Sequence, residues 1–183
     1  DASAHRWHHY YSITHPCLPP VGYLRTHFNI TVMANEMVWC PYHDLDYQVI
    51  GYKTLSRSGG KRAGVGSKMA LYAGNGTLSR LVHTNDPVII CEGESDTWVM
   101  DYLYGDEYIV VGFAGANQNV QEILGVYDDN VWSGRHVSIV FDGDAAGTSG
   151  RAQVAEWLYN KNATVTLTPL PDDKDVADLQ EQD

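Results

Sequence analysis

Hydrophobic and polar positions change rhythm about halfway along the 183-residue chain. Up to about residue 84, apolar residues come in short groups broken by Pro16, Pro19, Pro20 and a Gly/Ser-rich stretch near residues 56–67. This part predicts a short helix over about residues 3–12, a Pro-rich turn, and a second short helix near 21–28. Two β-rich runs follow, Met37 to Tyr42 and Tyr47 to Thr54, and the turn-forming His43-Asp44-Leu45-Asp46 between them predicts an antiparallel hairpin. From Pro87 the pattern alternates. Val88-Ile89-Ile90-Cys91, Tyr108 to Gly112 and His136 to Phe141 are short, β-branched apolar runs, as expected of strands buried on both faces of a parallel sheet. Helices are predicted over about 95–104 and 147–160, with a loop and a weaker helix over 115–126 and a last strand over 163–167. Val154, Trp157 and Leu158 share one face of the 147–160 helix and form an ordinary core stripe.

Repeated strand–helix–strand units imply a parallel sheet with right-handed crossovers. The expected fold is therefore α/β: a Rossmann-like parallel sheet flanked by helices over residues 85–183, preceded by a small basic α+β lobe over residues 1–84. The tail from Pro169 reads as loop, with room for a short helix after Asp175.

The net charge of −11 hides an asymmetry between these parts. Residues 1–84 carry a balance of +4 and residues 85–183 a balance of −15. A basic lobe that can face phosphates thus precedes an acidic one that needs cations or simply presents a solvated surface. Lys53, Arg57, Lys61, Arg62 and Lys68 make the densest basic segment, on a Gly/Ser-rich loop of the kind that can track a phosphate backbone. Cys17, Cys40 and Cys91 do not form a disulfide framework, which favours a reducing compartment. His5, His8 and His9 lack a carboxylate or cysteine at ligand spacing, and Cys40-Pro41-Tyr42-His43 has no second half-site, so no zinc site is expected in this fragment. No apolar run reaches the roughly 20 residues of a membrane-spanning helix, and the chain begins at Asp1 rather than Met, as a piece of a longer protein would.

Two of the predicted strands end abruptly in acids: Cys91-Glu92-Gly93-Glu94-Ser95-Asp96 and Phe141-Asp142-Gly143-Asp144. Ligands of open α/β sheets bind just beyond the carboxyl ends of the strands, so these acids should gather at one edge. Clustered oxygen ligands suit Mg²⁺ or Mn²⁺. A single strand-end acid can merely cap the next helix. Several converging on one edge favour a site.

These residues resemble the TOPRIM family of topoisomerases and primases. Glu92-Gly93-Glu94-Ser95-Asp96 is similar to its E-G-x-x-D signature, and Asp142-Gly143-Asp144-Ala145-Ala146-Gly147 to its D-x-D…A-G signature, about fifty residues on. Pro171-Asp172-Asp173-Lys174-Asp175 resembles the P-x-x-K-D segment of bacterial-type primases and bacteriophage primase–helicases. Upstream, Val49-Ile50-Gly51-Tyr52-Lys53 and Gly66-Ser67-Lys68-Met69-Ala70-Leu71-Tyr72 are similar to the small lobe before TOPRIM in those enzymes. The likeness spans most of residues 37–180 and is greatest to the RNA-polymerase core of the phage proteins.

The resemblance implies a DNA primase catalytic domain: a nucleotidyltransferase that makes short RNA primers on single-stranded DNA from nucleoside triphosphates. It further implies two or more Mg²⁺ or Mn²⁺ ions held by Glu92, Asp142, Asp144 and Asp175, with Glu92 serving as metal ligand or acid–base group. Asp96 becomes a partner one helical turn behind, and Lys53, Arg57, Lys61, Arg62 and Lys68 hold template and triphosphate. A zinc-binding module and a replicative helicase are expected elsewhere, in the same or another chain, and the location is cytoplasmic, in a bacterium or a phage-infected host. The alternatives are a TOPRIM metal-dependent nuclease and a non-catalytic TOPRIM recombination mediator that binds DNA.

Overall fold

The computed structural model describes residues 2–56, 60–168, 170 and 176. Two helices open the chain, α1 (Ala2–Thr14) and α2 (Val21–His27). A four-stranded antiparallel sheet follows, in spatial order β1 (Thr31–Val32), β2 (Val38–His43), β3 (Val49–Leu55), β4 (Lys61–Ala63). The expected hairpin is β2–β3, with Trp39 opposite Thr54 and Cys40 opposite Lys53. Asp44 holds its turn, accepting from the backbone N–H groups of Asp46 and Gln48 at 3.0 and 2.9 Å.

The second sheet contains β5 (Tyr72–Ala73), β6 (Val88–Cys91), β7 (Ile109–Gly112), β8 (His136–Val140) and β9 (Thr164–Leu167), ordered β5-β7-β6-β8-β9. The last four strands of the chain run parallel, and β5 adds antiparallel to β7 at the edge. The intervening helices are α3 (Thr77–His83), α4 (Glu94–Tyr104), α5 (Val120–Leu124), α6 (Asp129–Trp132) and α7 (Ala145–Tyr159). Every residue of β6 and β7 is buried, which explains their uninterrupted apolar runs. On one face Val88, Ile90, Val111 and Ile139 pack with α3, α5, α6 and α7. On the other, Ile89, Cys91, Val110 and Val140 pack with Val99 of α4 and with Val176.

The division near residue 84 does not coincide with the sheets. β5 and α3 precede it yet belong to the second core, to which Leu78 and Leu81 contribute. A further apolar cluster crosses between the lobes: Trp7, Tyr11, Leu24, Phe28, Cys40 and Tyr42 pack with Tyr72, Trp98 and Ala114. Trp98 donates its indole N–H to the Tyr72 hydroxyl at 2.8 Å inside this cluster. Burial of six aromatic side chains there secures α1, α2 and the first sheet to the second.

Candidate active site

Strand order creates the site. β6 leads through α4 to β7 on one side, whereas β8 lies on its other side. The chain therefore reverses direction across the sheet at β6/β8, and ligand crevices form at such switch points. Cys91 pairs with Val140 in register, so the residues that follow them, Glu92 and the segment to Asp144, emerge side by side. The backbone N–H of Asp142 donates to Glu92 Oε2 at 3.1 Å. The backbone N–H of Ala116, in the loop after β7, donates to the same carboxylate, while Gly115 N–H donates to the Glu92 carbonyl at 3.0 Å. Asp144 is the N-cap of α7 and accepts from Gly147 N–H at 2.7 Å.

Gly147 permits this closeness. A Cβ there would lie 2.3 Å from the Asp142 carbonyl oxygen and 2.7 Å from Glu92 Oε2, so only glycine fits without displacement. Burial raises the Glu92 carboxyl above its ordinary value, and the negative charge of Asp144 pushes the same way; the two backbone donors and Lys61 oppose the shift. A carboxylate so placed holds its charge more easily once a cation arrives. The donor set of Glu92, Asp142 and Asp144 is hard oxygen throughout and fits Mg²⁺ or Mn²⁺ chemically. Among the described residues, no group of three His, Cys, Asp or Glu side chains is drawn together closely enough to cage a metal alone.

The other sequence-predicted residues separate. Asp96 is buried in the first turn of α4, with Oδ2 3.4 Å from the point a Cβ on Gly93 would occupy. Lys61 Nζ lies 3.3 Å from that same point, so β4 delivers one cation to the acidic turn. The β3–β4 register places Lys61 opposite Leu55 and Arg62 opposite Thr54. Because side chains alternate along a strand, Lys61 shares the inward face with Leu55 and Lys53, whereas Arg62 projects from the other face. Lys68 is exposed beside a cleft of about 610 Å³ between the β2–β3 turn and α5, lined also by Asp44, Met69 and Ile123.

Lys53 departs from the expectation of a template contact. It is 8% exposed, and its Nζ donates to the Ala114 carbonyl at 2.8 Å and pairs with Glu94 Oε1 at 2.9 Å. It shares the buried face of β3 with Gly51 and Leu55, which turns it inward, against the second sheet. Arg57 and Asp175 lie outside the described residues. Sequence reasoning missed the 113–116 loop, whose contribution is backbone N–H groups and so leaves no side-chain signature. It also missed Glu94 as the partner of Lys53; the only hint was an acid beyond what the motif requires.

No protein-family model matches the sequence, and no curated protein matches it. Solved structures do resemble it. The primase fragment of the bacteriophage T7 primase–helicase protein is similar with a TM-score of 0.60 and 19% identity, over 81% of this chain and 59% of that one. A DnaG primase catalytic domain bound to single-stranded DNA gives a TM-score of 0.58 and 17% identity, over 96% of this chain and 68% of that one. The zinc-binding and RNA-polymerase domains of the Aquifex aeolicus primase give 0.54 and 20%, over 76% of this chain and 35% of that one. The chain thus spans about three-fifths of the T7 fragment and about a third of the Aquifex one. Its mixed α/β fold is that of primase catalytic domains.

Proposed function

We propose that the chain is the catalytic domain of a DNA primase, joining nucleoside triphosphates into short RNA primers on a single-stranded DNA template. The observation that carries this reading is the meeting of Glu92 with Asp142 and Asp144 at a strand-order reversal, with Lys61 reaching the same turn from the basic hairpin. The fold likeness to a primase fragment and to a primase domain bound to single-stranded DNA supports it.

In this reading Glu92, Asp142 and Asp144 would hold two or more Mg²⁺ or Mn²⁺ ions, and the sequence resemblance assigns Asp175 to the same task. A metal bound there would supply Lewis acidity, lowering the pKa of the attacking 3′-hydroxyl and neutralising charge on the leaving pyrophosphate. Glu92, kept in place by the backbone N–H groups of Ala116 and Asp142, is oriented before substrate arrives. Lys61 stands where a triphosphate would approach the acidic edge, and its charge offsets that of the phosphates. A zinc-binding module that selects the start site and a helicase that supplies template are the partners this reading requires.

The test uses single-stranded DNA, ribonucleoside triphosphates, Mg²⁺ or Mn²⁺, and a short RNA primer so that start-site selection is not needed. Template-dependent extension, abolished in folded Glu92→Gln and Asp142→Asn proteins, is the expected result. DNA shortening without synthesis would assign a nuclease instead, and DNA binding without either product a mediator.

A further inference from the structure

We infer that Lys53 and Glu94 form a positioning pin between the lobes that holds the 113–116 loop against Glu92; as a statement about catalysis this rests on the primase reading. Glu94 is fully buried at the start of α4, two residues beyond Glu92. Its Oε1 accepts from the Tyr42 hydroxyl and pairs with Lys53 Nζ, while Oε2 is buried with no hydrogen-bond partner. Both partners come from the first sheet, Tyr42 on β2 and Lys53 on β3. An anion so enclosed is tolerated because the lysine accompanies it.

The lysine has a second task. Its bond to the Ala114 carbonyl fixes the loop whose next two N–H groups, of Gly115 and Ala116, hold the Glu92 backbone and carboxylate. On the loop's other side, the carbonyl of Ala116 lies 2.6 Å from the point a Cβ on Gly150 would occupy, so α7 backs it closely. The loop is therefore clamped between Lys53 and α7. β3 also pairs with β4, the strand that delivers Lys61. A shift of the basic hairpin on binding template would reach Glu92 through Lys53 and this loop. Lys53 thus acts through Ala114 to Ala116 without touching substrate.

The test replaces both charges together, Lys53→Met with Glu94→Gln, so that neither is left buried alone. Tyr42→Phe, which removes one donor and keeps both charges, serves as a second variant should the double one melt below room temperature. Amide hydrogen exchange is the primary measurement. The pin predicts at least tenfold faster exchange at Gly115 and Ala116 in the double variant, with Val110 and Ile139 in the sheet unchanged within twofold; Tyr42→Phe shifts the same amides in the same direction by less. Primer extension should lose at least tenfold in kcat with the nucleotide KM within twofold. Unaltered exchange at 115 and 116 in a folded variant overturns the pin. A tenfold rise in KM at constant kcat also overturns it, by placing Lys53 on the nucleotide. Wild-type protein that makes no primer while its variants show the exchange change refutes the primase reading and supports the pin.

Discussion

Replacing Gly147 with alanine tests the geometry of the site with the smallest available change. The added methyl would lie 2.3 Å from the Asp142 carbonyl oxygen and 2.7 Å from Glu92 Oε2, each well inside contact distance. Neither neighbour yields easily: one is backbone, and the other is a carboxylate held by two N–H groups. Forcing a methyl into packed structure costs about 1–3 kcal/mol. Alanine, the better helix former, regains up to about 1 kcal/mol, although Gly147 sits in the first turn of α7 rather than its interior. The net loss is therefore about 1 kcal/mol, which for a chain of this size lowers Tm by about 2–4 °C. Function should suffer more than stability. The strain falls on the Glu92–Asp142 contact itself, and a 1 Å misplacement of reacting groups costs about 100-fold in rate. The assay pairs thermal melting with Mn²⁺ binding by the free protein and with primer extension. Gly22→Ala is the control, since a Cβ there meets nothing within 4 Å, and it should leave all three unchanged or raise Tm slightly. A Gly147→Ala protein that binds Mn²⁺ and extends primers within twofold of wild type would refute the claim that these acids act through their close approach.

Other expectations are as direct. Because burial and Asp144 raise the Glu92 pKa above 4.5, the folded protein binds this proton more tightly than the unfolded chain, so stability falls as pH rises through that window. Glu92→Gln should accordingly raise the metal-free Tm at neutral pH and give no gain below about pH 4, where the unfolded carboxyl is protonated as well; a gain independent of pH would count against the raised value. Lys61→Ala should weaken single-stranded DNA binding and flatten its salt dependence by about 0.7 in the log–log slope, the contribution of one phosphate contact. Arg62→Ala, on the opposite strand face, should do less, and equal effects would contradict the face assignment. Burial pushes the Cys40 and Cys91 thiols well above their ordinary range, so a thiol reagent at neutral pH should modify half-buried Cys17 first, with the other two reacting only on unfolding.

The parallel strands and their helices were legible because burial on both faces leaves a continuous apolar run that little else imitates. β6, β7 and β8 fall within one residue of their predicted bounds, and α7 begins two residues before its own. The β2–β3 hairpin was legible from its Asp-containing turn. What escaped has a common physical cause. β4 and β5 are three and two residues long and exist only because a longer strand offers them hydrogen bonds, which no local pattern announces. The antiparallel edge made by β5 escaped for the same reason. Within the site, acids at strand ends were readable from motif and spacing. The fates of the four basic residues among the described ones were not, because composition does not say which way a strand faces: Lys53 turned inward to an ion pair, Lys61 to the acidic turn, Arg62 away, and Lys68 toward another cleft.

That sorting bears on how the two lobes work. A solvated lysine can move to a phosphate at little cost, but Lys53 can leave Glu94 only by stranding a buried carboxylate and releasing the Ala114 carbonyl. It therefore contributes rigidity rather than charge, and Lys61 is the cation left to face the acids among the described residues of the hairpin's inward side. The apolar cluster built on Trp7, Tyr42, Tyr72 and Trp98 makes the same demand on a larger scale, since separating the lobes would expose large aromatic rings now fully enclosed. On the primase reading, substrate would enter an edge already assembled, with Glu92 fixed by backbone groups of its own sheet and the loop behind it fixed by the other lobe. Pre-arrangement of this kind lets the acids meet charge that develops during reaction without reorganising first.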